Sequence, residues 1–179
     1  MSGIVITRRE QLAGEVRESE KGFGFTEYCA LPEGAAEHTL VSFYELPPRH
    51  SNYPYHYHFD QEETFYILSG TGVLKTPEGE KPVRAGDLIF CPAGEGGAHR
   101  LTNTSDRETL VYLDFDALPQ RDVCVYPDSR KMAVWSPAFS GVYRIEDKVD
   151  YYDREDAELP APDGAGGDPD GDPGEGQGR

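Results

Sequence analysis

The spacing of the strand-like runs limits most tightly what this chain can become. From residue 38 onward, short segments rich in Val, Ile, Tyr, Phe and Thr are cut by Gly, Pro and Asp at close intervals. No long stretch keeps a helical period. Residues 38–45, 53–58, 63–69, 72–75, 87–91, 98–103, 109–114 and 123–125 read as strands, with weaker candidates at 132–135 and 141–144. Ser69-Gly70-Thr71-Gly72 suits a tight hairpin, and Pro77-Glu78-Gly79 and Ala85-Gly86-Asp87 suit turns. Many short strands without helices predict an all-β fold, a sandwich or a closed barrel.

The ends read differently. Residues 1–35 form an N-terminal strand or loop extension, in which 3–7 could be an edge strand. Residues 36–152 carry the β pattern. Residues 153–179 are Gly, Pro, Asp and Glu with almost no apolar side chains, a composition that predicts disorder. The DGDPGEG segment there lacks the ligand spacing of a calcium loop.

Net charge is −16. That argues against nucleic acid and anionic membranes, both of which need a basic face. Residues 155–179 hold eight acidic groups and one basic one, so much of the charge lies outside the β region. No apolar run is long enough for a membrane span. The first twenty residues alternate apolar and charged side chains without the core of a signal peptide. The three cysteines, Cys29, Cys91 and Cys124, are widely and irregularly spaced. They form no disulfide framework, and a cytoplasmic location is expected.

Two segments carry chemistry. In the first, His56 and His58 stand two apart on a strand and aim at one point. A four-residue turn then brings in Glu63, which shares a face with Phe65 and Ile67. A carboxylate at the end of an inward apolar row needs a partner, and a cation is a good one. The second segment runs strand, Gly-rich turn, strand from Gly86 to Asn103. His99 opens the second strand, with Leu101 and Asn103 on its face.

These residues resemble the cupin superfamily. Its first motif, G-x5-H-x-H-x3/4-E-x6-G, is matched from His56 through His58 and Glu63 to Gly70. The opening glycine is replaced by His50. Its second motif, G-x5-P-x-G-x2-H-x3-N, is matched by Gly86, Pro92, Gly94, His99 and Asn103, with four residues instead of two between Gly94 and His99. The resemblance runs over residues 41–116. Tyr126-Pro127-Asp128-Ser129 and Asp150-Tyr151-Tyr152-Asp153 look like segments of a bacterial single-domain cupin group of mostly unassigned function.

The resemblance implies a small double-stranded β-barrel, or jelly roll, with His56, His58, Glu63 and His99 around one divalent metal ion. Three imidazoles and a carboxylate suit Fe, Mn, Ni, Co, Cu or Zn, and the lack of a thiolate weakens a structural zinc reading. Open coordination positions would take a small-molecule substrate. Dioxygenase and isomerase chemistry both fall within the superfamily's range, as does a non-catalytic sugar- or acid-binding sensor. A homodimer is also implied, with residues 3–7 a candidate for strand exchange.

Other residues have plainer readings. Glu62 should face solvent, Cys91 should be a buried inert thiol, and His38 and His50 should lie at the surface. Tyr53, Tyr55 and Tyr57 should pack outside the barrel or at a dimer interface. Asn103 shares the His99 face and either orients a ligand or substrate or plays a structural role. On the 109–114 strand either Tyr112 and Asp114 or Val111 and Leu113 face inward. Tyr112 is a candidate substrate contact.

Overall fold

Antiparallel pairing organises nearly all of the chain. The computed structural model describes residues 3–157, so most of the acidic tail lies outside the described residues. The strands are β1 Glu15–Ser19, β2 Phe23–Cys29, β3 Thr39–Leu46, β4 Tyr57–His58, β5 Glu63–Ser69, β6 Thr71–Thr76, β7 Gly79–Arg84, β8 Leu88–Cys91, β9 Arg100–Asn103, β10 Leu110–Ala117, β11 Asp122–Tyr126, β12 Lys131–Trp135 and β13 Ser140–Arg144. One sheet has the order β1-β2-β3-β10-β5-β8. Two smaller sheets, β13-β12-β11-β4 and β7-β6-β9, meet at a bridge between His56 and His99. Residues 15–29, within the segment read as an extension, thus supply two strands of the large sheet. Residues 3–7 form no strand.

Alternation sets the core. Along β5, Glu63, Phe65 and Ile67 point inward while Tyr66 and Leu68 point out. Phe65 and Ile67 pack with Leu46, Leu74, Leu101, Leu110 and Tyr112, drawn from strands of both the large and a small sheet. Fully burying side chains of this kind stabilises by about 1.5–3 kcal/mol each. The hairpin from β5 to β6 turns at Gly70, whose φ is 84°. A Cβ there would also stand 2.8 Å from Thr109 O.

The strand read over 53–58 shrinks to β4. Pro54 has no N–H to give a ladder. The chain is held by isolated bonds instead: Asn52 N–H donates to Leu101 O at 3.1 Å and His56 N–H to His99 O at 3.1 Å. On β10, a bulge between Val111 and Tyr112 shifts the register against β5. Tyr112, Asp114 and Asp116 then face inward.

Residues 149–157 belong to a separate small unit. It contains a turn over 151–154, and the Tyr151 and Tyr152 rings meet edge to face, 4.9 Å between centroids. Among the described residues, no helix is long and apolar enough to cross a membrane.

Candidate metal centre

Three imidazoles and a carboxylate converge on one point, and His56, His58 and Glu63 of this cluster line a cavity of about 420 Å³. His58 sits on β4 and Glu63 opens β5, joined by the short turn between them. His56 and His99 are bridged to each other through their backbones, with His99 N–H donating to His56 O at 2.8 Å. The four side chains are buried. Nε2 of His99 lies 3.3 Å from Glu63 Oε2, Nε2 of His56 lies 3.9 Å from the same oxygen, and Nε2 of His58 lies 3.8 Å from Oε1.

The outer nitrogen of each ring is already used. His56 Nδ1–H donates to Pro54 O at 2.8 Å, and His99 Nδ1–H to Gly97 O at 2.9 Å. His58 Nδ1 is bonded to the Asp122 carboxylate. A carbonyl can only accept, so these bonds fix the tautomer and turn the Nε2 lone pairs inward. Nε2 of His99 is buried with no hydrogen-bond partner among the described residues. An orphaned acceptor facing two further imidazoles and a carboxylate fits a divalent cation, and the donor set suits a transition metal.

The electrostatics agree. Burial, then the neighbouring His99 and His58, lowers His56 to about 3. Burial lowers His99 to about 4. Both rings are therefore neutral at ordinary pH, the form in which an imidazole can hold a metal. Burial, followed by the charges of Asp116 and Asp122, pushes Glu63 up to about 8. A cation at the cluster would reverse that shift, because a positive neighbour favours the carboxylate. Cys124 Sγ also lies within reach of His56 and His58, but burial raises its thiol to about 12, leaving it a poor ligand.

The longer Gly94–Ala98 turn has a structural answer. Glu95–Gly97 forms one 3₁₀ turn, which delivers Gly97 O to the His99 ring. A Cβ on Gly97 would fall 1.7 Å from Pro92 O, so only glycine fits there.

The structure places the two substrate candidates in the core. Asn103 is fully buried and spends its amide on the backbone. Its Nδ2 donates to Leu46 O and Glu108 O, both at 2.8 Å, and its Oδ1 accepts from Ser105 N–H at 3.0 Å. It ties β9 to the loop before β10 and does not line the cavity. Tyr112 is fully buried in the core, stacked on Tyr44 at 5.0 Å, with Asn52 Nδ2 donating to its hydroxyl at 3.4 Å. Its inward direction leads to packing. Tyr53, expected outside the barrel, lines the cavity instead. Its ring packs on Phe25, and its hydroxyl meets that of Tyr44 at 3.3 Å.

Sequence reasoning missed Asp122, Tyr126 and Trp135, all cavity-lining. Tyr126 stacks on His56 with 5.9 Å between centroids, and Trp135 stacks on His58 at 5.9 Å. One signal was available: Asp122, Cys124 and Tyr126 alternate along a strand, with an acid opening the row as Glu63 opens its own.

The barrel and its ligand cluster together define a protein class. Residues 42–116 match the family model of the cupin domain, and the chain carries a cupin domain. It is similar to the oxalate-binding protein of Thermotoga maritima, with 29% identity over 115 residues, 63% of this chain and 94% of that protein. Among solved structures it is similar to a protein of Acidithiobacillus ferrooxidans provisionally named a sugar phosphate isomerase. That match has a TM-score of 0.69 and 25% identity, covering 79% of this chain and 90% of the other. The polyketide cyclase RemF of Streptomyces resistomycificus matches with a TM-score of 0.54 and 25% identity, over 64% of this chain and 80% of its own.

Proposed function

We propose that the chain is a mononuclear metalloenzyme of the isomerase type, acting on a small molecule held against His56, His58, Glu63 and His99. The observation that carries this reading is the set of inward Nε2 atoms, each on a ring anchored from behind, around one carboxylate that lines a cavity together with His56 and His58. A bound divalent ion would polarise a carbonyl or hydroxyl oxygen of the substrate. The chain's own part is to hold four ligands in place, leave room beside them, and shield that space with Tyr126 and Trp135. Isomerisation is favoured over dioxygenase chemistry because Asp114, Asp116 and Glu27 line the same cavity without being ligands. Carboxyl groups beside a polarised carbonyl are what proton transfer between carbons requires.

A second reading is a non-catalytic binding module, favoured by the similarity to an oxalate-binding protein. One experiment separates the readings. Metal-loaded protein is incubated with a panel of hydroxy-carbonyl compounds in deuterated water and followed by NMR. Deuterium entering the carbon beside the carbonyl, absent in a His56→Ala/His58→Ala variant, supports the isomerase. Oxygen uptake without deuterium exchange supports the dioxygenase. A compound that binds and is recovered unchanged supports the binding module.

The assembly is proposed to be a homodimer in the cytoplasm. Ile4 and Ile6 are 96% and 92% exposed in the single chain, which suits their burial against a second copy. The free thiols of Cys29, Cys91 and Cys124 suit a reducing compartment. Light scattering that gives the mass of one chain would remove the dimer.

A further inference from the structure

The sheet orders leave β1, β7, β8 and β13 without an outer neighbour, while β4 and β9 adjoin the His56–His99 bridge. An open edge is a template for another strand, and charge or proline keeps it from pairing. Glu15 and Arg17 guard β1, Lys81 and Pro82 guard β7, and Arg144 guards β13. The edge of β8, Leu88-Ile89-Phe90-Cys91, has neither device. Leu88 and Phe90 project from it, 68% and 54% exposed. Outside the ladder with β5, no backbone–backbone hydrogen bond reaches residues 88–91 among the described residues.

A hollow of about 480 Å³ opens beside this edge, between β8 and β7. Leu74, Val83, Ile89 and Pro92 line it. Of its charged lining residues, Lys81 is paired with Glu78 at 2.6 Å, and Asp87 accepts the Arg84 N–H at 2.8 Å. The hollow therefore suits an uncharged occupant. Gly97 and His99 also line it, so it reaches the turn that orients His99.

The same chain carries an unpaired segment of matching character. Gly3-Ile4-Val5-Ile6-Thr7 is uncharged and rich in β-branched side chains, which favour strands. Yet residues 3–7 make no backbone–backbone hydrogen bond among the described residues. Thr7 and Arg8 lie beside Phe43 and Leu68, on the outward face of the large sheet. Tyr66 and Leu68 are exposed on that face, and Tyr66 is the cross-strand partner of Leu88. The segment thus leaves the body of the protein from the apolar face that ends at β8. A two-fold axis on this face lets each copy give one such arm and receive one.

We propose that residues 3–7 of one copy add as a strand to β8 of a second copy, covering Leu88 and Phe90 and filling the hollow behind His99. An added strand continues the pleat, so Ile4 and Ile6 fall on one side of the sheet and Val5 on the other. This rests on the homodimer reading and names the surface that makes it. The received arm packs behind Gly97, so assembly braces the turn that carries His99.

The test is sedimentation velocity on the full-length protein and two full-length variants, Ile4→Asp/Ile6→Asp in the arm and Leu88→Asp/Phe90→Asp at the edge. These side chains are exposed in the single chain, so neither change should unfold it, and circular dichroism checks this. The unaltered protein should be a dimer. Each variant alone should dissociate about a hundredfold more readily, as when anchoring side chains are lost from an interface. An equimolar mixture of the two should associate about tenfold more tightly than either alone, because it keeps one intact arm and one intact edge. Hydrogen exchange on the unaltered protein is the second measurement. Amides of residues 3–7 and 88–91 should be protected together in the dimer and released together on dilution. Dimers of undiminished strength in both variants would overturn the arm exchange and leave the homodimer standing. A native monomer at every concentration would remove both. Protection of residues 3–7 in such a monomer would show that the arm folds onto its own chain.

Discussion

The two ends of the cavity are built on opposite principles. At the imidazole end, every outer nitrogen has a partner and the inner ones converge on Glu63. At the carboxyl end, Asp114 and Asp116 are buried, each with an Oδ1 that has no hydrogen-bond partner among the described residues. The first end is organised from behind to hold something positive. The second is a buried acidic wall on the same cavity. The rigidity of the cluster and the acidity of the wall are separately encoded. The cluster is fixed by bonds to Pro54, Gly97 and Asp122, and Asp114 and Asp116 are placed by the register of β10 against β3 and β5.

Substitutions behind the cluster should therefore damage it without touching the wall. The largest effect is expected from Gly97→Ala, whose new methyl would overlap Pro92 O. The turn must open, and His99 loses the carbonyl that orients it. A loss of about 3 kcal/mol of stability, read by denaturant unfolding, is expected from overpacking of this kind. Weakened metal binding should accompany it. A Gly97→Ala protein with native stability would show that the turn does not constrain His99.

Asp122→Asn comes next. The amide keeps the shape but loses the charge that holds the His58 Nδ1 proton. Removing such a supporting partner typically lowers metal affinity by about 10- to 100-fold. Competition against a fluorescent chelator measures it, and a change under twofold would mean that His58 is oriented by packing on Trp135 instead.

A smaller effect links the two ends through pH. His56 and His99 are lowered in the folded state, so their contribution to stability rises with pH and is complete above the unfolded histidine value of about 6.5. Glu63 is raised to about 8, so the folded state holds a proton that the unfolded chain has already lost. Its contribution falls as pH rises towards that value. Between about pH 6.5 and 8 the metal-free protein should therefore lose melting temperature. Metal-loaded protein should resist this, so the gap between the two forms widens with pH. Parallel melting curves for both forms across that window would contradict the buried, protonated Glu63.

The sequence made one end of the cavity legible and hid the other, for physical reasons. His56 and His58 share a face because strand side chains alternate, and Glu63 follows within one turn. Short-range periodicity suffices for that. Asp122 lies 64 residues from the ring it orients, and nothing local pairs them. Asp114 was left open because periodicity cannot say which face of β10 is inward, and the bulge at Val111 and Tyr112 resets the register there. Asn103 shares the His99 face, Tyr112 belongs to one of the two alternative faces of its strand, and both side chains are buried. Inward means core as readily as cavity, and their neighbours Leu46 and Tyr44 come from a distant strand. Tyr53 failed for the opposite reason: Pro54 interrupts the ladder, so alternation does not carry across residues 53–58.

The most direct test of the central claim is elemental analysis of untagged, full-length protein beside the His56→Ala/His58→Ala variant. The account predicts about one equivalent of Fe, Mn, Ni, Co, Cu or Zn in the native protein and less than about a tenth of that in the variant, as expected when two of four ligands are removed. No metal in the native protein under any loading condition, or equal metal in both proteins, would contradict it.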